Sequence, residues 1–167
     1  MLPYYNKIQN YTLPILMPNP YNKSQQDFGK TYEDIFEEEV LTKTIIGFTA
    51  TDTYNEVDFI GNTDKTLIMI ELKTRKHAYG TFDTTIIPCG KVKYYKGFKT
   101  DKQKRLFFVF CFLDGDNNHT FYYIKYSNQV FNTFERQDFL QGGQHYKIPM
   151  ECLKPCDDAF IKLIDNY

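Results

Sequence analysis

The sequence predicts an α/β fold in which a central mixed β-sheet is flanked by helices. Long apolar segments rich in β-branched and aromatic residues, such as TLIMIELKTR and LFFVFCFL, have the composition of buried strands. Segments with helical periodicity lie between and around them, in the order helix, three strands, helix, two strands, helix. The 167 residues, of which 42% are hydrophobic and 25% charged, are enough for one globular domain.

The first part of the chain differs from the rest in its proline content. Residues 1–26 hold four prolines among scattered Asn and Tyr, which disfavours regular structure. We therefore expect residues 1–26 to form an extended arm and residues 27–167 to form a single domain. The four prolines are Pro3, Pro14, Pro18 and Pro20.

A first helix is predicted from about Thr31 to Lys43. Thr31 can cap its N-terminus, and the acids of the early turns interact favourably with the helix dipole. Four residues at helical spacing form its apolar stripe: Tyr32, Ile35, Phe36 and Val40.

The remaining elements follow in chain order. Strands are expected in IIGFTAT, EVDFIG and TLIMIELKTR, and a short helix from Pro88 to Lys96. The segment LFFVFCFLDGDNNHTFYYIKYS has turn residues between two aromatic runs, which predicts a hairpin. The final CDDAFIKLIDNY is typical of an amphipathic helix.

Composition excludes several classes of protein. No apolar run approaches the roughly 20 residues that span a bilayer, and the first residues lack a secretory leader, so we expect a soluble intracellular protein without a membrane partner. The four cysteines have no redox or zinc spacing and are expected to be reduced thiols. Abundant Asn, Lys, Ile, Tyr and Phe with three alanines is typical of an AT-rich genome, such as that of a virus or phage.

Charge is distributed unevenly along the chain. The formal net charge is −1, but residues 73–105 contain ten Lys and Arg against two acids. The rest of the chain is correspondingly acidic. This asymmetry indicates either a polyanion-binding face beside a cation-binding cleft or a solvated lysine-rich loop region.

Two acids lie within a hairpin that is otherwise apolar. If its turn is centred on Asp64 and Lys65, Asp58 faces Glu71 across the two strands, and Lys73 shares a face with Glu71. Directly opposed residues have Cβ atoms roughly 4.5–5.5 Å apart, so both acids stay ionised only beside positive charge. Either a surface ladder of ion pairs or a cation site satisfies this requirement.

A divalent cation would supply the missing positive charge. Mg²⁺ prefers hard oxygen ligands and commonly takes one or two carboxylates. Asp58 and Glu71 are therefore candidate ligands for Mg²⁺ or Mn²⁺, and the backbone carbonyl of Leu72 could add another.

The same residues carry a family resemblance. Asp58, followed after twelve residues by Glu71-Leu72-Lys73, resembles the signature of the PD-(D/E)XK nuclease superfamily, and Gly29 to Glu33 is similar to the G-x-x-x-E of its Holliday-junction resolvases. The resemblance covers about residues 27–126. It implies a restriction-endonuclease-like core, catalytic roles for Asp58, Glu71 and Lys73, and a metal-binding role for Glu33.

Periodicity and resemblance differ on the helix acid. Helical spacing places Glu39 deepest in the apolar stripe and Glu33 at its edge. The resemblance implies Glu33, which we favour, and Glu39 is the reserve candidate.

The resemblance also implies a substrate and its binding residues. The expected activity is metal-dependent hydrolysis of phosphodiester bonds, in DNA rather than RNA, directed at branched DNA or ends. Resolution of a junction would require a homodimer. The alternative is a non-catalytic nucleic-acid-binding module with a nuclease-like fold. Basic residues expected to contact the nucleic-acid backbone are Arg75, Lys76, Lys91, Lys93 and Lys96.

Overall fold

The fold was analysed in a computed structural model. It describes residues 20–52, 56–116, 118–139 and 143–167, with side chains from residue 24 onward. Residues 1–19, most of the predicted arm, lie outside the described residues.

Four helices and nine strands make up the described chain, and two 3₁₀ turns accompany them at Leu41–Lys43 and Met150–Cys152. The helices are α1 (Pro20–Glu39), α2 (Cys89–Gly97), α3 (Asn128–Phe131) and α4 (Asp158–Asp165). The strands are β1 (Phe48–Ala50), β2 (Phe59–Asn62), β3 (Thr66–Arg75), β4 (Thr84–Pro88), β5 (Gln103–Leu113), β6 (His119–Lys125), β7 (Arg136–Phe139), β8 (Gly143–Pro149) and β9 (Lys154–Pro155).

The strands form two sheets. The larger sheet is mixed, with the order β1-β2-β3-β5-β6-β9, and the smaller is antiparallel, with the order β4-β8-β7. Within the larger sheet only β3 and β5 run parallel, and β4 and α2 connect them. The fold is therefore α/β with a mixed central sheet, as predicted.

The larger sheet is covered on both faces. On one face Ile68 and Ile70 of β3 pack in a core with Phe36 of α1 and with α4. On the other, Met69 of β3 packs in a second core that includes Val92 of α2 and residues of the smaller sheet. Because β3 is buried on both sides, a polar side chain near its middle is removed from water whichever way it points.

Several predicted elements are confirmed. The three early strands are β1, β2 and β3; β5 and β6 form the predicted antiparallel hairpin; and α2 begins one residue after Pro88. The last predicted helix is α4, whose N-terminus is capped by Asp157, since its Oδ1 accepts a hydrogen bond from the N–H of Ala159 at 2.9 Å.

The predicted bounds of the first helix are wrong. α1 begins at Pro20 and ends at Glu39, so residues 20–26, assigned from the sequence to an extended arm, are helical. The Thr31 hydroxyl does not cap a helix but donates to the carbonyl of Asp27 one turn earlier. A proline is tolerated in the first turn of a helix because the N–H it lacks has no partner there.

The smaller sheet was not predicted. In β7 only Phe139 is even partly buried, and its sequence RQDF gives little apolar signal. In β8 and the residue after it, Tyr146, Ile148 and Met150 are buried at a spacing of two, which is the pattern of a half-buried strand. This alternation is the feature of the sequence from which β8 could have been predicted.

Among the described helices, none is both long and apolar enough to cross a membrane.

Candidate active site

The two acids of the hairpin lie close together where its ladder ends. The ladder between β2 and β3 ends with the pair Phe59 and Ile70, in the register that a turn at residues 64 and 65 requires, and Asp58 and Glu71 are the next residues on the two strands. The N–H of Asp58 also donates to the carbonyl of Ile70 at 2.9 Å, so the regular pairing is interrupted here and Asp58 is held against the same residue as Phe59. The predicted register is confirmed over Phe59–Asn62.

Backbone contacts on both sides hold Asp58. Its carbonyl accepts a hydrogen bond from the N–H of Thr51 at 2.8 Å, and its carboxylate Oδ2 accepts one from the N–H of Leu72 at 2.6 Å. Burial raises the pKa of Asp58, while the Leu72 N–H and Lys73 oppose the rise. The carboxylate is therefore fixed at the cleft with one oxygen engaged by β3.

Glu71 is the most deeply buried charged residue of the site. Its side chain has no exposed surface, and neither carboxylate oxygen has a partner with hydrogen-bond geometry. Burial raises the pKa of Glu71; Lys73 opposes the rise and the neighbouring Asp58 adds to it. Two lysines compensate its charge at Oε1, whereas no hydrogen bond reaches Oε2, so one buried carboxylate oxygen is left unsatisfied.

Lys73 lies on the same side of β3 as Glu71. Its Nζ is 2.5 Å from Oε1 of Glu71, and its side chain keeps 30% of its surface exposed. Burial acts to lower the pKa of Lys73, but the ion pair with Glu71 outweighs it, so the net pKa is raised. The amine is therefore charged at neutral pH and reaches both the buried acid and the solvent.

A second lysine reaches the same acid from helix α2. The Nζ of Lys91 lies 3.2 Å from Oε1 of Glu71 and 3.6 Å from Oε2 of Glu56, and it donates to the Glu56 carbonyl at 2.8 Å. Glu71 thus has two ammonium groups close to one oxygen.

The structure distinguishes the two helix acids. Glu33 is partly buried and faces the same cleft as Asp58, with Nζ of Lys30 at 3.7 Å; burial raises the pKa of Glu33, and Lys30 opposes the rise. Glu39 is exposed and lies 2.9 Å from Nε2 of His119 at the start of β6. Its predicted position in the apolar stripe is wrong because Glu39 is the last residue of α1 and projects toward β6.

These side chains line one open cleft of about 690 Å³ between α1, α2 and the ends of β2 and β3. The cleft brings together Glu33, Asp58, Glu71, the Leu72 backbone and Lys73, all of which the sequence singled out.

Three further charged residues line the cleft without having been predicted. They are Asp27 and Lys30 on α1, and Asp52 just after β1. A helix that begins at Pro20 places residues 26, 30 and 33 on one face, since residues three and four apart are neighbours on a helix. Because the helix was predicted to start near Thr31, the residues of its first turns were not recognised as part of this face.

The five basic residues expected to contact nucleic acid do not form one surface. Of these five, only Lys91 lines the cleft. Arg75 is turned toward the smaller sheet: its Nε donates to Oγ1 of Thr85 at 3.0 Å and its Nη2 to the carbonyl of Ile86 at 2.6 Å. Burial lowers the pKa of Arg75.

The other three residues, Lys76, Lys93 and Lys96, also lie outside the cleft. Lys76 is exposed, with Nζ 4.5 Å from the ring centroid of Phe28. Lys93 is exposed on α2, and Nζ of Lys96 donates to Oδ1 of Asn128 at 2.9 Å. At 100° per residue, Lys93 and Lys96 lie about 60° apart on α2 and Lys91 lies on another side, which agrees with Lys91 alone of the three lining the cleft.

The donor set of the cleft fits a hard divalent cation. Asp58 and Glu71 supply carboxylate oxygens from facing strands, and both oxygens of Glu71 lack hydrogen bonds. The carbonyl of Leu72 points to the same side of β3 as its N–H, toward Asp58. Among the described residues, no group of three or more His, Cys, Asp or Glu side chains is arranged to hold a metal, so a bound ion would take its remaining ligands from backbone, water or substrate.

No protein-family model matches the chain, and no curated protein matches it.

Proposed function

We propose that this protein is a metal-dependent nuclease that hydrolyses phosphodiester bonds in DNA. The observation that carries the proposal is that Asp58 and Glu71 meet at the end of the β2–β3 ladder, with Lys73 Nζ 2.5 Å from the Glu71 carboxylate, in a cleft that Glu33 also lines. Neighbouring carboxylates beside one amine, in the order of the PD-(D/E)XK signature, are what this chemistry needs.

Each residue has a distinct role in this proposal. Asp58 and Glu71, with Glu33 and the Leu72 carbonyl, would hold Mg²⁺ or Mn²⁺. The ion would supply Lewis-acid chemistry, acidifying a water molecule and neutralising charge on the phosphate. Lys73, charged and partly exposed, orients the attacking water or stabilises the added negative charge of the transition state.

The charge of the cleft makes a bound cation part of the proposal. Five acids line it beside three lysines, Lys30, Lys73 and Lys91, so a divalent cation is needed before the cleft can attract a phosphate. The lysines would then contact the oxygens of that phosphate. Such contacts bind the backbone without reading sequence. We further propose that branched DNA or DNA ends are preferred, because one domain of this size has little surface for reading a long site.

Cleavage assays with matched variants test the proposal. Wild-type protein in Mg²⁺ is expected to cut DNA, whereas Glu71→Gln and Lys73→Met are expected to lower the rate at least 10²-fold. Glu56→Gln is the control, since Glu56 also pairs with Lys91 but is 53% exposed and does not line the cleft. Equal cleavage by all four preparations would indicate a contaminant and refute the assignment.

The choice of substrates defines the specificity. Branched DNA, linear duplex, single-stranded DNA and RNA of the same sequence are compared side by side in Mg²⁺ and in Mn²⁺. Cleavage of RNA alone would overturn the preference for DNA.

One observation favours a second candidate, a nucleic-acid-binding module without turnover. Lys91 lies against the Glu71 oxygen that a cation would use, so two lysines already neutralise the buried acid. Binding of nucleic acid with no cleavage of any substrate in either metal would support this alternative.

A further inference from the structure

A second group of cations lies at the opposite end of the larger sheet from the cleft. The β2–β3 turn, the α2–β5 loop and the end of β6 meet there, since the N–H of Gln103 donates to the Lys65 carbonyl at 2.9 Å and Phe107 pairs with Lys125. We call this surface the basic end; it consists of Lys65, Lys99, Lys102, Lys104, Arg105 and Lys125.

The positive charge of the basic end is not neutralised by ion pairs. Within the described part of the chain, none of its six residues has a carboxylate within ion-pair distance, whereas four lysines elsewhere do. Its loops contain two acids, Asp64 and Asp101. Six cations against two acids leave a strongly positive local field.

Neutral partners hold these cations in place. The Nζ of Lys102 donates to the Thr63 carbonyl at 2.6 Å, and that of Lys104 donates to the carbonyls of Tyr95 and Phe98, each at 2.6 Å. Backbone carbonyls fix the ammonium groups but leave their charge uncompensated, which favours an external anion.

Two cations of the basic end, Arg105 and Lys125, pack against the ring of Tyr167. The guanidinium carbon of Arg105 and the Nζ of Lys125 lie 5.2 and 5.0 Å from the centroid of the Tyr167 ring. The Tyr167 hydroxyl accepts a hydrogen bond from Lys125 at 2.7 Å. Two cations on one ring are thus held close together without an acid between them.

We propose that the basic end is a second binding surface, which takes the phosphate backbone of a nucleic acid. Helix α2 adjoins both surfaces: Lys104 Nζ lies 3.4 Å from the carbonyl of Lys96, and Lys91 of the same helix lines the cleft. Six cations spread over three separate segments of the chain suit an extended polyanion better than a compact acidic partner.

The distance between the basic end and the cleft sets the shortest nucleic acid that can contact both. Lys65 precedes Glu71 by six residues along β3, which is about 20 Å at roughly 3.3 Å per residue. One strand of a duplex advances 3.4 Å per base pair, so about six base pairs separate the two surfaces. This part of the inference rests on the proposed function: duplexes too short to reach the basic end are expected to be cut less efficiently than 20-base-pair duplexes.

Binding is tested in EDTA, where metal-dependent cleavage does not contribute. The probes are a labelled 20-base-pair DNA duplex, single-stranded DNA and RNA of the same sequence, and polyglutamate. Lys65→Gln/Lys99→Gln removes two exposed charges of the basic end, and Lys147→Gln, on β8 and paired with Glu135, is the control.

The salt dependence of binding is the readout. For the double variant, the slope of the logarithm of the association constant against the logarithm of salt concentration is expected to become shallower by about 2, and for Lys147→Gln it stays unchanged. An unchanged slope in the double variant, or polyglutamate binding as tight as nucleic acid, overturns the proposal.

The two proposals fail separately. Cleavage with wild-type salt dependence in the double variant would leave the nuclease assignment standing and remove the second surface. Binding lost in the double variant, with no cleavage by any preparation, would support the second surface and refute the nuclease assignment.

Discussion

The ammonium group of Lys91 lies 3.2 Å from Oε1 of Glu71, the same oxygen that Lys73 approaches to 2.5 Å. One lysine comes from helix α2 and the other from strand β3, so the buried acid ties the helix to the sheet. In the proposed nuclease, a cation that binds Glu71 must compete with Lys91 for this oxygen.

Substitution of Lys91 tests this competition. Lys91→Met removes one partner of a buried acid and is expected to lower the free energy of unfolding by about 1–3 kcal/mol without metal. The same change relieves the competition, so the gain in melting temperature on adding Mg²⁺ should exceed that of the wild type. Lys93→Met, on the exposed side of α2, should change neither quantity. A smaller Mg²⁺-dependent gain in Lys91→Met would show that Lys91 assists cation binding.

Metal binding is expected to depend on pH in a defined direction. Burial raises the pKa values of Asp58 and Glu71 above their ordinary 3.8 and 4.5. A metal binds the ionised carboxylates and therefore releases their protons. Below the raised pKa values, affinity for Mg²⁺ should rise roughly tenfold per pH unit for each proton released, and above them it should level off. Calorimetric titration in two buffers of different ionisation enthalpy measures both affinity and proton release. An affinity that stays constant or falls as the pH is raised from 4 to 8 would contradict this.

Arg75 is expected to act in folding rather than in substrate binding. Its guanidinium bonds to Thr85 and Ile86 join the larger sheet to the smaller one, and its carbon lies 5.6 Å from the centroid of the Phe110 ring. Arg75→Gln should lower the free energy of unfolding by about 2–3 kcal/mol, as loss of charged hydrogen bonds does. Lys76→Gln, next in sequence but exposed, should have little effect. Urea denaturation of both variants measures the difference; equal stability would refute the role.

Gly61 is required for the packing of the edge strand. In the register of β1 and β2, Phe48 lies over Gly61, and a Cβ at this glycine would be 2.6 Å from Cε1 of the Phe48 ring. Gly61→Ala should therefore displace the ring and lower the free energy of unfolding by about 1–3 kcal/mol. At Gly47, beside the same ring in sequence, a Cβ meets no atom within 4 Å, so Gly47→Ala is the control. Equal denaturation midpoints for the two variants would contradict the prediction.

Much of the hairpin could be predicted from local sequence. A turn at residues 64 and 65 predicts the register of β2 and β3, which the structure contains over Phe59–Asn62, and alternation along β3 puts Lys73 beside Glu71, which it also contains. The limits of α1 could not be placed so well, because proline reduces helix propensity everywhere except in the first turn, and the sequence does not say which turn is first.

The sequence by itself determined the strand register and the face on which each hairpin side chain lies, because both follow from the period of two along a strand and from the position of one turn. Tertiary structure alone decided that Lys91 reaches Glu71 and that Arg75 turns to the smaller sheet, and it placed Glu33 rather than Glu39 at the cleft where periodicity and resemblance differed. These contacts join residues distant in sequence, and they depend on how helices and sheets pack over one another, which local periodicity does not encode.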